Sequence, residues 1–67
     1  MITFTCNGEA KELPQTEKLI DFIRSLELDP ETIVVEMNGA ILQRDQYDSI
    51  FIDNGTVLEL IRFVGGG

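Results

Sequence analysis

The first residues of the chain alternate between apolar and polar side chains, the period of two that is typical of a half-buried β-strand. Residues 1–6 place Ile2, Phe4 and Cys6 on one face of that strand. Asn-Gly dipeptides follow at positions 7–8 and 38–39, and they favour two-residue hairpin turns because both residues accept a positive φ. We therefore predict one hairpin over residues 1–13 and a second over residues 33–42.

Apolar residues between the two hairpins follow helical spacing. One face of the predicted helix carries Leu19, Ile20, Ile23 and Leu26, with Phe22 at its edge. Thr16, which follows Pro14, is the predicted N-cap of a helix of about three turns. So short a helix is unstable alone, and we expect it to pack on a sheet.

The second half of the chain supplies the remaining strands. In the polar segment 43–49 we expect Tyr47 to turn its ring inward, and the apolar run 50–52 is predicted as an edge strand. Residues 56–64 are rich in β-branched and aromatic residues and form the predicted last strand. Because hairpins pair antiparallel, this order indicates an α+β domain, with a mixed sheet of four to five strands and one main helix across one face. Its first and last strands can pair in parallel at the centre.

The charge of the chain limits its partners. Twelve carboxylates stand against five basic residues, which gives a net charge of −7. Nucleic-acid affinity depends on Lys and Arg contacts to phosphates, and anionic membranes repel acidic proteins, so neither partner is expected. An acidic chain is instead attracted to a basic cleft on a partner protein.

Cysteine and histidine content limits the chemistry of the chain. Cys6 is the single cysteine and histidine is absent, so neither an internal disulfide nor a metal site is predicted. We expect Cys6 to be a small buried residue and not a nucleophile, because nothing nearby lowers its pKa. No apolar run approaches the roughly 18–20 residues of a membrane span, and no leader precedes the first strand. These features predict a reducing, cytoplasmic setting.

Three glycines, Gly65, Gly66 and Gly67, follow the predicted last strand. Without side chains, their backbone can extend through a narrow channel and present a carboxylate to another protein. We expect residues 1–64 to form the domain and residues 65–67 to be a flexible tail. On this interpretation the tail carries the function and the domain holds it.

Several segments together resemble the ubiquitin-like β-grasp proteins. They are the first strand, the helix, residues 35–39, the turn at 53–55 and the ending 58–67. The short length, the residues 41–42 and Arg44 after the second Asn-Gly turn, and the Val-Gly-Gly-Gly ending are most similar to the ThiS-type sulfur carriers of thiamine (thiazole) biosynthesis. The resemblance covers the whole chain and implies the β-grasp fold.

This resemblance also implies a chemistry. An E1-like adenylyltransferase would use ATP with Mg to adenylate the carboxylate of Gly67. A relay fed by a cysteine desulfurase would convert the acyl-adenylate to a thiocarboxylate, and thiazole synthase would take its sulfur. Val64, Gly65 and Gly66 would be threaded into the partner. The chain itself would bind no cofactor and would be a co-substrate, not an enzyme.

A partner-contact surface is expected on the last strand. By the same resemblance, Leu58 and Leu60 lie under the helix, which leaves Glu59, Ile61 and Phe63 on the open face of the sheet. We predict that these three residues form a contact patch beside the tail. The alternative is that Ile61 and Phe63 only cover the sheet.

Other functions stay open at this point. The small subunit of molybdopterin synthase shares the fold, the glycine ending and the thiocarboxylate. Conjugation of Gly67 to a lysine, as in ubiquitin, and a plain ubiquitin-like protein-binding module are further alternatives. Deleting Gly66 and Gly67 would abolish the function of a carrier and spare that of a plain module.

Overall fold

The strands and the helix of this protein are short and are joined by tight turns. The computed structural model describes residues 1–62. Within them the strands are β1 (Ile2–Cys6), β2 (Glu9–Leu13), β3 (Glu17–Lys18), β4 (Ile33–Met37), β5 (Ala40–Ile41), β6 (Phe51–Ile52) and β7 (Val57–Arg62). The α-helix is α1 (Leu19–Ser25), and the 3₁₀ turns are Pro30–Thr32 and Arg44–Gln46.

Five of the strands form a mixed sheet in the order β2-β1-β7-β4-β5. Its central pair is parallel, with Thr5 opposite Val57 and Cys6 opposite Leu58. The other pairs of this sheet are antiparallel. The α+β class and the parallel pairing of the first and last strands, both predicted from the sequence, are therefore confirmed.

The Asn-Gly dipeptides at 7–8 and 38–39 form the predicted turns. Asn7 and Gly8 have φ values of 52° and 80°, and Asn38 and Gly39 have φ values of 51° and 87°. Positive φ is costly for most residues and is accepted by asparagine and glycine, which explains why these residues stand at the turns.

The helix covers one face of the sheet, and the core lies between them. The rings of Phe4 on β1 and Phe22 on α1 meet edge to face, with centroids 5.2 Å apart and an interplanar angle of 85°. This geometry is favoured by the aromatic quadrupole. The buried apolar residues are Ile2, Phe4, Cys6, Leu19, Phe22, Ile23, Ile33, Val35, Tyr47, Ile52 and Leu58.

The prediction that Thr16 caps the helix is wrong. The helix has seven residues, about two turns instead of three, and begins at Leu19. The Thr16 hydroxyl instead donates to the Ile52 carbonyl at 2.8 Å, and β3 pairs with β6. Glu17 and Lys18, which come just before the helix, form sheet hydrogen bonds with β6. This tertiary pairing overrides the local preference for a helix.

The predicted helix face is correct only in part. Leu19 and Ile23 are fully buried, but Ile20 is half-buried and Leu26 is 41% exposed. Phe22, predicted at the edge of the face, lies in the core. Because the helix ends at Ser25, Leu26 no longer follows the helical spacing that placed it on the apolar face.

The region after β5 adds one strand pairing to the prediction. Tyr47 does turn inward, and its hydroxyl donates to the Ile33 carbonyl at 2.9 Å. The apolar run 50–52 forms the predicted edge strand, β6. The sequence did not predict its partner: β6 pairs with β3 in a separate two-stranded sheet.

A Schellman motif ends the helix. The Leu28 N–H bonds to the Ile23 carbonyl at 3.4 Å, and the Glu27 N–H bonds to the Arg24 carbonyl at 2.9 Å. Glu27 occupies the left-handed position of this motif, with a φ of 61°. Glycine is the residue that this position ordinarily carries, because a side chain there is strained.

We expect Glu27→Gly to raise the free energy of unfolding by about 0.5–1 kcal/mol, because it removes the left-handed strain. The measurement is the midpoint of urea unfolding. Glu27→Ala is the matched control, since it removes the carboxylate but keeps the strained Cβ. Equal stabilities of the Gly and Ala variants would contradict the explanation.

Candidate functional site

The last strand, β7, precedes the glycine tail in the sequence, and hydrogen bonds hold its first residues on the β1 side and most of its length on the β4 side. On the β1 side, the Thr5 N–H donates to the Thr56 carbonyl and the Asn7 N–H to the Leu58 carbonyl, both at 2.9 Å. On the β4 side, the strand pairs from Met37 opposite Leu58 through to Ile33 opposite Arg62. A strand paired on both sides is a rigid support.

Asparagine side chains add to this support. The Asn7 Oδ1 accepts a hydrogen bond from the Leu60 N–H at 2.8 Å, and the Asn38 Oδ1 accepts one from the Val57 N–H at 2.9 Å. These residues were predicted only as turn residues. The asparagine at the first position of both turns indicates these hydrogen bonds only weakly. Its side-chain oxygen can accept from a neighbouring strand, but the sequence does not say which strand lies nearby.

The two faces of β7 are different. Leu58 is fully buried under the helix, and Leu60 on the same face is half-buried. Glu59 and Ile61 point to the opposite face, where Glu59 is exposed and Ile61 is 52% exposed. The structure therefore places Glu59 and Ile61 together on the open face, near Arg62, the last residue that it describes.

Two carboxylates face each other on this open surface. Glu36 on β4 stands directly opposite Glu59 on β7. Like charges at opposed positions destabilise a sheet, so this pair does not serve stability. Exposed apolar residues surround it: Ile41, which stands opposite Glu36, and Val57 and Ile61 on β7. The surface combines negative charge with apolar contact area.

Five residues of the predicted site, Phe63, Val64, Gly65, Gly66 and Gly67, lie outside the described residues. The tail and the third member of the contact patch therefore stay predictions. Arg62 is the last residue of β7 that the structure describes, and it is exposed.

The acidic residues of the described chain do not form a metal site. Over residues 1–62, no group of three or more His, Cys, Asp or Glu side chains is positioned to hold a metal ion. None of the helices in that range is long and apolar enough to cross a membrane.

Cys6 lies inside the core, as the sequence predicts. Cys6 is only 5% exposed, and burial raises the pKa of its thiol. The positive charge of Lys11 lowers this pKa, and the negative charges of Glu59 and Glu9 raise it further. A raised pKa keeps the thiol protonated at neutral pH, and the thiolate is the reactive form. Cys6 is thus a packing residue.

Comparison with known proteins agrees with this geometry. The model of the ThiS family matches residues 2–67. The chain belongs to the ThiS family. The sequence-based prediction of a sulfur carrier in thiamine biosynthesis with a β-grasp fold is thereby confirmed, and so is the prediction that the chain is not an enzyme.

Individual ThiS-family relatives cover nearly the whole chain. It is 31% identical over 62 residues to the sulfur carrier protein ThiS of Bacillus subtilis, covering 91% of this chain and 94% of that protein. The crystal structure of the thiamine biosynthesis protein ThiS from Geobacter metallireducens superposes with a TM-score of 0.83 at 26% identity, covering 98% of this chain and 100% of that one.

A third relative is a larger protein. The chain is 30% identical over 61 residues to the thiazole synthase of Magnetococcus marinus. The match covers 91% of this chain but only 19% of the thiazole synthase. A ThiS-like segment therefore occurs within a thiazole synthase chain, which suggests thiazole synthase as a partner of separate ThiS proteins.

We expect the Cys6 thiol to be alkylated by iodoacetamide at least about tenfold more slowly in the folded protein than in concentrated guanidinium chloride, because it is buried and protonated. Mass spectrometry of timed samples measures both rates. Cys6→Ala, which lacks the thiol, is the control for reaction elsewhere in the chain. Equal rates in the folded and unfolded protein would contradict the assignment of Cys6 to the core.

Proposed function

We propose that the sulfur carried by this ThiS-family protein is attached at Gly67, as a thiocarboxylate at the end of the glycine tail. The family match extends through residue 67 and so includes the three glycines. The observation that carries the proposal is the strand β7, which pairs with β1 over its first residues and with β4 as far as Arg62, and which precedes that tail in the sequence. A fixed base and a tail without side chains suit delivery of a chain end into a partner's pocket.

The chemistry requires activation of the carboxylate. A carboxylate oxygen is a poor leaving group, and adenylation by an E1-like adenylyltransferase with ATP and Mg replaces it with a good one. Persulfide sulfur from a cysteine desulfurase relay then displaces AMP, and a thiol reductant supplies the two electrons that release this sulfur as the thiocarboxylate, with formation of a disulfide. Thiazole synthase receives the sulfur from that thiocarboxylate. The ATP and Mg belong to the activating enzyme in this scheme.

Different observations support the different partners in this scheme. Thiazole synthase is supported by the ThiS-like segment in the Magnetococcus marinus thiazole synthase. The adenylyltransferase and the desulfurase relay follow from the resemblance to ThiS-type carriers. A chain with a single free cysteine suits a reducing compartment, and we propose a cytoplasmic location.

We further propose that the domain comprises residues 1–64 and the tail residues 65–67. Val64, Gly65 and Gly66 would lie in the channel of the partner, with Gly67 at its reactive centre. The chain from Arg62 to Gly67 spans at most about 17 Å when fully extended. A partner that holds Gly67 must therefore contact the end of β7.

Glu59, Ile61 and Phe63 are proposed as the patch that meets the partner. Support comes from the exposure of Glu59 and Ile61 on the open face and from the opposed carboxylates of Glu36 and Glu59. An unfavourable charge pair at the surface is relieved by a basic partner, which gives both attraction and specificity. The net charge of −7 acts in the same direction at longer range.

Intact mass spectrometry tests the proposed attachment site. In protein purified from its native host under mild, non-reducing conditions, we expect a species heavier by one oxygen-to-sulfur exchange, located in the peptide that ends at Gly67. Incubation with ATP, a sulfur donor and the host's adenylyltransferase should increase its share.

The control for this measurement is a chain that lacks Gly66 and Gly67 but keeps β7. It should fold normally and stay unmodified. Finding only the free carboxylate in the complete chain after the same incubation would contradict the proposal.

The contact patch is tested by charge substitutions on one face of β7. We expect Phe63→Asp and Ile61→Asp each to lower the rate of adenylation about tenfold or more, because a carboxylate replaces apolar contact area in the interface. Val57→Asp is the matched control, since it makes the same change on the same face at the opposite end of the strand. Unchanged rates for the first two variants, or an equal loss in all three, would contradict the patch.

A further inference from the structure

Backbone groups along β7 alternate between its two neighbours. The carbonyls of Thr56 and Leu58 accept from β1 and the Asn7 that follows it, and the Leu60 N–H donates to the Asn7 Oδ1. The Val57 N–H and carbonyl both bond to Asn38, beyond the end of β4. Even-numbered residues of β7 thus face the β1 side and odd-numbered ones the β4 side.

This alternation leaves an unpaired segment on the β1 side. Strand β1 ends at Cys6, and the chain turns away at Asn7 and Gly8. The last pairing on that side is the Asn7 side chain on the Leu60 N–H. The Leu60 carbonyl and the Arg62 N–H, which come next on that side, have no hydrogen-bond partner within residues 1–62.

Two other edge positions of the sheet are protected. The Ile33 carbonyl, which lies beyond the end of β5 on the outer side of β4, accepts from the Tyr47 hydroxyl. The outer strand β2 carries the charged residues Glu9, Lys11 and Glu12, which discourage pairing with another chain. The β7 segment lacks such cover, and Asn7, Gly8 and Arg62 around it are exposed.

We propose that this free edge of β7 receives an extended strand of the adenylating enzyme, which donates an N–H to the Leu60 carbonyl and accepts from the Arg62 N–H. The inference rests on the proposed function and names how that partner holds the carrier. It differs from the contact patch, because it uses backbone groups at the strand edge and not side chains on the open face.

The position of the tail argues for this occupant. An enzyme that holds Gly67 lies within about 17 Å of Arg62, so its surface must run past the free edge. A strand paired there fills the place that β1 leaves and directs the following residues along an extended path. Half-buried Leu60 lies in the same segment and offers apolar contact to the incoming strand.

A proline substitution tests the backbone contact directly. Arg62→Pro removes the N–H that faces the free edge. This N–H has no hydrogen-bond partner among residues 1–62, so the unfolding midpoint of Arg62→Pro should match that of Arg62→Ala. Arg62→Ala is the matched control, since it removes the side chain and keeps the N–H. We expect the adenylating enzyme to modify Arg62→Pro at least about tenfold more slowly than Arg62→Ala.

A second control checks the assignment of strand sides. Ile61→Pro removes an N–H that faces β4 and should lower the unfolding midpoint, which Arg62→Pro should not do. Hydrogen exchange of the Arg62 amide in the unmodified protein gives an independent measurement. It should be fast in the free chain and protected when the adenylating enzyme is bound.

Several results would overturn the inference. Equal adenylation of Arg62→Pro and Arg62→Ala, or an unprotected Arg62 amide in the complex, would do so while leaving the proposed function intact. A concentration-dependent dimer that Arg62→Pro abolishes would assign the edge to a second copy of the chain. If the unmodified chain were not adenylated at all, the proposed function would fail and this inference with it.

Discussion

The parallel pairing of β1 with β7 is the interaction on which the rest of the structure depends. It joins the two ends of the described chain at the centre of the sheet, and each hairpin then adds to one side of that pair. The buried residues of both strands, Phe4 and Leu58 among them, form the floor on which the helix packs. Because β7 is central, the strand that leads to the tail cannot shift without disturbing the core. Delivery of a chain end to a partner requires such a fixed base.

The surface around β7 is less favourable than stability alone would require. Glu36 opposes Glu59, Ile61 is exposed, and within residues 1–62 the edge after Leu60 lacks a backbone partner. Each feature costs some stability or invites association, and all lie on or beside the strand that carries the tail. Their concentration there is expected when a protein is shaped to meet several partners in turn, because transient complexes depend on surfaces that are left incomplete in the free molecule.

Much of this fold could be predicted from the sequence because its strongest signals are local. The Asn-Gly turns at 7–8 and 38–39 and the alternation of residues 2–6 define both hairpins, and the order of the elements indicates the parallel central pair. The resemblance to ThiS-type carriers supplied the chemistry of the tail. The start of the helix was predicted too early because the Thr16 hydroxyl bonds to β6 and Glu17 and Lys18 pair with it as strand β3. Strand β6 lies more than thirty residues away in the sequence. The hydrogen bonds of Asn7 and Asn38 to β7, and the free edge beyond Leu60, depend on strand register, which no local pattern reports.

The long-range closure of the sheet has a consequence for biosynthesis. The Asn7 side chain meets Leu60 across 53 positions, and Thr3 meets Asn54 across 51. During translation the core cannot close until β7 has left the ribosome, since this strand is the middle of the sheet. A chain truncated before β7 would stay unfolded and exposed to proteolysis. The chains that fold are therefore those whose synthesis has reached β7, whether or not the tail that follows it is complete.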